Sequence, residues 1–412
     1  MSNSKYNILF ISLVIIKDLT KRGIYPDLIK YFISQGHHVT ILSPIERREK
    51  NDSQVIRGEG YTNIRYKTLN NTKTNYVEKL LSTLVIDILL KNALKKNLTN
   101  TPDIIVCATP PITMSASIQY LKNKYNVPCY LLIKDIFPAN IADLGLLSEK
   151  SIVYKLFRRQ EKKLYQLADY IGCMSPANAT YIKKHNPEIK DSIIEVNPNT
   201  IWPLDFIPSP ELKKSLRTKY NIYSNAKVFF YGGNLGKPQM IPFLIDILES
   251  FLANKNIHFF IIGDGTEYMK IENWQKKNKP KNLTLLPFVP KAEYDQIVHI
   301  ADVGMVFLDN RFKIPNFPNR ILSYMENYLP VFLATDKNTD ISHMAVQGGF
   351  GKWTESGNIK EATEIIQSMI NLDVKDLEEM GKKGNQYLHE HFLVKRSYNL
   401  IVEKLNSSKL GC

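Results

Sequence analysis

A chain of 412 residues is too long for one ordinary core, and a hydrophobic content of 44% can pack two or three globular domains, which excludes a disordered chain. The formal net charge of +14 suits an anionic partner (phosphate-rich ligands, an anionic membrane surface or nucleic acid) or else reflects a general lysine bias. No apolar run reaches the ~18 residues of a spanning helix, and the four cysteines show neither C-x-x-C nor zinc spacing, which points to buried, reduced thiols in a cytosolic protein.

In chain order, Asn7 to Ile15 reads as a first strand. It is short, Lys17-Asp18 follow at once and no small-residue cleavage site comes after it, so it is not read as a signal peptide. A polar loop with Arg22 and Gly23 leads to a helix from Ile24 to Gln35, ended by Gly36. Strands follow at His38 to Leu42 and Ile64 to Lys67, with the charged stretch Glu46 to Gly60 expected as a surface loop. Tyr76 to Lys96 reads as a helix. Lys79, Thr83, Asp87, Lys91 and Lys95 make one polar stripe on it, and leucines, isoleucines and valines fill the rest. Such a helix either packs between a sheet and a neighbour or lies in a membrane interface through Leu80, Leu84 and Ile88, with Lys91 and Lys95 towards anionic head groups.

Asp103 to Ala108 is the next strand, and Thr109-Pro110-Pro111 is expected to open a helix running to Tyr125. Pro128 to Ile133 is a strand whose carboxyl end runs into a long loop, Lys134 to Leu147, where an open α/β sheet binds ligands. Asp135 sits there as a ligand contact, or as a cap for the loop's own backbone. Glu149 to Ala168 is a basic amphipathic helix. Tyr170 to Met174 and Ile193 to Val196 are strands, with Ser175-Pro176 capping the helix between them. The proline-bearing stretch Asn197 to Pro210 marks a domain boundary.

The second half repeats the rhythm, with strands expected at Val228–Tyr231, His258–Ile262, Leu283–Leu286, Val303–Phe307 and Val331–Ala334. Strands alternating with helices argue for parallel sheets. The fold is therefore α/β: two Rossmann-like domains facing a cleft, with a C-terminal helix packing back on the first domain. The boundaries are residues 1–203, 204–390 and 391–412. The stretch KVFFYGGNLGKPQMIPFLIDILESF, Lys227 to Phe251, is the centre of the second domain. It reads as strand, glycine loop, helix, and the loop's N–H groups and the helix end suit a diphosphate. Its spacing is neither G-x-G-x-x-G nor a P-loop. Gly263-Asp264-Gly265 makes a second glycine turn at a strand end. Phe288 follows the next strand, where it offers a face to a nucleobase. Arg320 stands in the first turn of a later helix, placed to hold a phosphate or to make a surface ion pair.

The order of these motifs resembles that of family 4 glycosyltransferases, retaining enzymes of the two-Rossmann-domain (glycosyltransferase B) class. It includes the Arg22-Gly23 loop, GHHVT, KDIFPAN, GGNLGKPQ, GDG, ADVGMVFL and PNRILSYMENYLPV. Within the family it looks most like bacterial transferases of capsule, O-antigen and exopolysaccharide assembly. The resemblance implies a nucleotide-diphosphate sugar, most often of UDP, as donor substrate. It also implies a lipid-linked saccharide acceptor, no cofactor, no metal and a place at the inner face of the cell membrane. Donor contacts would come from Gly233, Asn234, Lys237, Gly263, Asp264, Gly265, Phe288, Arg320, Ser323 and Glu326. Acceptor contacts would come from Arg22, Gly23, Lys134, Asp135 and Asn140, with Asp135, Lys237 and Arg320 closest to the chemistry. The chain departs from the family pattern where two glutamates are usual: Pro315 and Ser323 match those positions, and Glu326 lies one helical turn on. The Arg and Lys that usually clamp the diphosphate match Asn234 and Gln239. These departures leave open a catalytically inactive, membrane-bound partner of another transferase. A sugar-nucleotide epimerase needs a carboxylate set that the sequence does not offer, and no nucleic-acid-binding module is present.

Overall fold

The structure is a computed structural model that describes residues 5–70, 76–204 and 209–410. The chain divides into two compact units. One runs to Trp202 and takes back the residues from Val394 onward; the other is Pro203–Leu393.

The first unit is built on an eight-stranded sheet: β1 (Asn7–Ile11), β2 (His38–Glu46), β3 (Gln54–Gly58), β4 (Tyr61–Thr68), β5 (Ile104–Ala108), β6 (Cys129–Leu132), β7 (Tyr170–Cys173) and β8 (Ile194–Val196). The order is β3-β4-β2-β1-β5-β6-β7-β8, parallel except for β3. Strands such as β5 are buried at every position, and their unbroken apolar run is what a parallel strand covered on both faces requires. Cys107, Cys129 and Cys173 are free thiols in these strands. The helix Val394–Leu410 places Val394, Ile401 and Leu405 in the same core as Phe10 and Phe32. Its Ser397 hydroxyl donates to Asn197 Oδ1 at 2.7 Å.

Three local expectations are corrected here. Glu46 to Gly60 is not all loop: β3 pairs antiparallel with β4 through a turn at Gly60, whose φ of 73° is the left-handed conformation glycine favours. The helix ending at Tyr125 starts at Ser115, not at the prolines. Pro110 and Pro111 lack N–H groups and disfavour helical backbone before them, so they sit in the strand-to-helix connection. The segment after β6 folds a short helix, Ala139–Asp143, instead of staying a loop throughout.

The second unit carries a six-stranded, wholly parallel sheet: β9 (Lys227–Asn234), β10 (Ile257–Asp264), β11 (Leu283–Leu286), β12 (Val303–Phe307), β13 (Val331–Thr335) and β14 (Gly351–Glu355). The edge strand β14 was not expected from the sequence. The order β11-β10-β9-β12-β13-β14 reverses direction between β9 and β12, the position at which doubly wound sheets open a crevice. Helices Ile241–Ser250 and Ile359–Ile370 pack Leu244, Ile247, Ala362 and Ile366 against Phe229, Phe259 and Phe307. Burying each such aromatic or aliphatic side chain is worth ~1.5–3 kcal/mol. The core therefore fixes where the strands end.

Candidate functional site

The site in the second unit begins where β9 and β10 end side by side. Their register pairs Gly232 with Ile262, Gly233 with Gly263 and Asn234 with Asp264, so the two glycine turns are neighbours. A Cβ on Gly263 would lie 2.0 Å from the Gly233 carbonyl oxygen, and one on Gly265 would lie 2.4 Å from the Leu235 carbonyl oxygen. The turns thus touch backbone to backbone, closed by Leu235 N–H to Asp264 O and Glu267 N–H to Leu235 O, both at 2.9 Å. Gln239 draws the loop shut: its Oε1 accepts from Asn234 Nδ2 at 2.8 Å and from Gly236 N at 3.1 Å. At the positions where the family pattern has two cations, this chain has two amides bonded to each other. Lys237 stands exposed at the start of the 3₁₀ turn Lys237–Gln239.

Positive charge comes instead from across the sheet switch point. Helix Arg320–Glu326 follows the loop leaving β12, and Asp309 in that loop donates its N–H to Pro238 O at 2.9 Å. The Arg320 guanidinium carbon lies 4.3 Å from the centre of the Tyr231 ring. Its Nη2 lies 3.3 Å from where a Cβ of Gly233 would stand, so a side chain there would crowd it. Gly233 itself has a φ of 135°. Burial opposes the charge, but Tyr231, Tyr324 and Tyr294 around it hold Arg320 above its ordinary range, so it stays cationic. No carboxylate pairs with it among the described residues, and its Nη1 is buried without a hydrogen-bond partner. An ionised group so placed is costly unless a counter-charge arrives.

Aromatic side chains that sequence reasoning passed over build this seat. The Tyr231 hydroxyl donates to Asn234 O at 2.6 Å, and the Tyr324 hydroxyl accepts from Gly232 N at 3.2 Å while donating to Met305 O at 3.1 Å. The Tyr294 ring fills the space a Gly232 side chain would need, and burial pushes its hydroxyl up to about 12. Tyr231 directly precedes the glycines, so the sequence did hold that one signal.

The other donor-side candidates differ in setting. The Ser323 Oγ is buried one helical turn from Arg320, next to the Tyr294 hydroxyl. Phe288 is 70% exposed beyond the end of β11, leaving its ring face free. Asp264 and Gly265 lie in the second glycine turn. Glu326 is buried, and its Oε1 accepts from the Leu204 N–H at 2.8 Å, so it anchors the incoming chain. Arg311, in the loop after β12, is engaged by Asp309 through two hydrogen bonds of 2.8 and 2.7 Å.

In the first unit the candidates cluster at the carboxyl ends of β5 and β6. The Thr109 hydroxyl donates to Asp135 O at 3.2 Å and accepts from Lys134 N at 3.1 Å. Asp135 Oδ2 accepts from Asn140 Nδ2 at 2.7 Å, which ties these two candidates into one loop-capping pair. Among the described residues Lys134 Nζ donates to the carbonyls of Asn197 and Pro198, at 3.5 and 3.3 Å, and its burial pulls the amine down to about 7. Gly23, with a φ of 153°, precedes the helix Ile24–Ser34, and Arg22 Nη2 donates to Trp202 O at 3.1 Å.

Helix Tyr76–Asn97 turns part of its polar stripe inward, not to solvent. Asp87 caps helix Ser115–Tyr125 by accepting from Ala116 N and Ser117 N at 2.8 and 2.9 Å. Lys91 and Lys95 lie 5.2 and 5.4 Å from the Tyr120 ring centre. Ile88 is exposed, while the side chains of Leu80 and Leu84 lie outside the described residues. Among the described residues no helix is long and apolar enough to cross a membrane, and no group of three or more His, Cys, Asp or Glu is placed to hold a metal ion.

Two family models match the chain: "Glycosyltransferase Family 4" over residues 27–201 and "Glycosyl transferases group 1" over residues 213–387. The chain is 22% identical over 314 residues to the probable glycosyltransferase WbjE of Pseudomonas aeruginosa, covering 74% of this chain and 75% of that protein. Among solved structures, sucrose-phosphate synthase from Thermosynechococcus elongatus superposes with a TM-score of 0.77 at 14% identity, over 99% of this chain and 100% of its own. HepE of Anabaena, solved with UDP and glucose, gives 0.70 at 15% identity, over 98% and 100%. A trehalose-6-phosphate protein of E. coli bound with UDP-2-fluoro glucose gives 0.72 at 12%, over 97% and 98%. With both Rossmann-like units matched in order, the chain belongs to the group 1 glycosyltransferases of the family 4, glycosyltransferase B type.

Proposed function

We propose that this glycosyltransferase moves a sugar, with retention, from a nucleotide-diphosphate sugar to a lipid-linked saccharide at a membrane surface, in the assembly of a surface polysaccharide. The observation that carries the donor half is Arg320: a cation stacked on Tyr231 beside Gly233, with no carboxylate partner among the described residues. Diphosphate oxygens suit that seat, and the glycine loop with its N–H groups and Lys237 runs on from Gly233 beside it. UDP is the favoured nucleotide because HepE and the trehalose-6-phosphate protein were solved with UDP or UDP-sugars. No metal is invoked.

The chemistry asked of these residues is charge stabilisation. Cleaving the sugar–phosphate bond leaves negative charge on the diphosphate, and Arg320, Lys237 and the loop N–H groups offset it as it develops. The acceptor hydroxyl then attacks the oxocarbenium-like sugar on the face the leaving group departs from, giving up its proton to the departing diphosphate oxygen, with Asp135 and Lys134 as the acceptor-side candidates. The same departures that rebuild the diphosphate seat (the Asn234–Gln239 pair, Ser323, the anchored Glu326) favour a second reading: a donor-binding but non-catalytic partner of another transferase.

A thermal-shift screen with UDP, GDP, dTDP, CMP and their sugar conjugates tests the reading, because a ligand bound only to the folded state raises the melting temperature. A shift with UDP and one UDP-sugar is expected, followed by transfer of that sugar to a lipid-linked acceptor. A shift without transfer to any acceptor supports the non-catalytic partner. No shift with any nucleotide removes the donor site.

A further inference from the structure

In the first unit, helix Ile152–Leu167 turns Phe157, Leu164 and Tyr165 into the core. The opposite side of its first turns is apolar and bare. Ile152 is 76% exposed, Leu156 58% and Val153 40%, and Leu146, in the turn leading into the helix, is 41% exposed. At helical spacing Ile152 and Leu156 share one face, with Arg159 and Lys163 continuing it and Lys155 at its margin. Lys150, Lys155, Arg159 and Lys163 are exposed and make no ion pair among the described residues, whereas Arg158 pairs with Glu161 and Lys162 with Glu188. Four large apolar side chains in water next to four unpaired cations are not explained by the packing of this unit.

We infer that this face of helix Ile152–Leu167 is a docking surface for an anionic lipid bilayer. Ile152, Val153, Leu156 and Leu146 would enter the boundary between head groups and acyl chains, and the lysines and Arg159 would meet lipid phosphates. The mixture selects this occupant. A nucleic acid would use the cations but leave the four apolar side chains in water, and a second copy of a chain carrying net charge +14 would bring like charge to like. The inference deepens the membrane part of the proposed function and rests on it, while replacing helix Tyr76–Asn97 as the surface, because part of that helix's polar stripe packs on helix Ser115–Tyr125.

The test is co-sedimentation of the full chain with vesicles of phosphatidylethanolamine and phosphatidylglycerol, against vesicles of phosphatidylcholine alone. The parent is expected to partition onto the anionic vesicles, less so as salt rises. Ile152→Glu with Leu156→Glu is expected to lower the partition ~10-fold or more with the melting temperature unchanged. The charge-reversed variant Lys155→Glu with Arg159→Glu, whose substitutions are all on exposed side chains, is expected to do the same and covers the case in which the first variant folds poorly. Ile88→Glu is expected to leave the partition as it was. Undiminished binding of both helix variants, or a loss caused by Ile88→Glu instead, would overturn the assignment of the surface while leaving the membrane reading in place. A parent that binds neither vesicle would overturn both.

Discussion

The guanidinium of Arg320 rests on the ring of Tyr231, 4.3 Å from its centre, although 89 positions separate the two residues in sequence. The sheet order makes the contact: β12 lies directly beside β9, so the helix that follows β12 is brought over the residue preceding the glycine loop. The stack orients a cation without neutralising it, and that is what a site awaiting an anion needs. Beside the loop itself stands the Asn234–Gln239 amide pair, while Arg320 brings its cation from the helix after β12.

Arg320→Ala is expected to weaken UDP binding by roughly 10²-fold, the scale of losing a charge-assisted, bidentate contact. It should not lower the melting temperature of the ligand-free protein by much, since the buried cation it removes has no carboxylate pair among the described residues and its Nη1 has no hydrogen-bond partner. Arg320→Lys is expected to recover only part of the affinity, because an ammonium neither stacks flat on Tyr231 nor presents two parallel N–H groups. Calorimetric titration with UDP and thermal unfolding without it check the two statements separately.

Glu326→Gln is expected to leave UDP affinity within about twofold and to cost about 1 kcal/mol of stability, because its Oε1 is taken up by the Leu204 N–H. Denaturant unfolding and UDP titration on the same preparation check this. A large loss of UDP affinity would return Glu326 to the donor site.

Gly263→Ala and Gly381→Ala separate site from scaffold. At Gly263 the added carbon meets the Gly233 carbonyl, so both the glycine loop and UDP binding should suffer. At Gly381 it would lie 1.8 Å from the Tyr328 carbonyl oxygen, at the packing of helix Val374–His391, and should destabilise by ~1–3 kcal/mol. Once allowance is made for the unfolded fraction, Gly381→Ala should bind UDP as the parent does.

Lys134 makes stability depend on pH. Its folded value is near 7 against 10.5 for the free side chain, through burial, so between those values the unfolded chain holds a proton the folded chain has given up. Stability from this group therefore rises as pH climbs from about 7 towards 10.5, and the full penalty of charging the buried amine is present below 7. Lys134→Met should flatten that slope and stabilise the protein at neutral pH by an amount on the order of 1–3 kcal/mol. Unfolding midpoints measured from pH 6 to about 10 check the sign.

Much of this was legible in the sequence for physical reasons, and the exceptions have physical reasons too. Glycine turns at strand ends are visible because nothing else fits, but that the two turns touch rests on β9 and β10 being neighbours, which the sheet order shows. Strand β3 was hidden because an exposed edge strand needs no apolar alternation, and its burial is slight throughout. The start of helix Ser115–Tyr125 was misread because prolines suit both a first turn and an extended connection. The tyrosine seat of Arg320 was legible only in part: Tyr324 lies one turn on in the same helix, but Tyr231 and Tyr294 lie on other elements that the sheet order brings to it. The same holds for Glu326, whose partner is a backbone N–H more than a hundred residues upstream.

The most direct measurement is the pair of titrations, UDP and uridine, on the parent and on Arg320→Ala. The account predicts that the parent binds UDP far more tightly than uridine and that the substitution removes most of that difference while leaving uridine binding nearly unchanged. A parent indifferent to the diphosphate, or an Arg320→Ala variant that keeps the full preference for UDP, would contradict it.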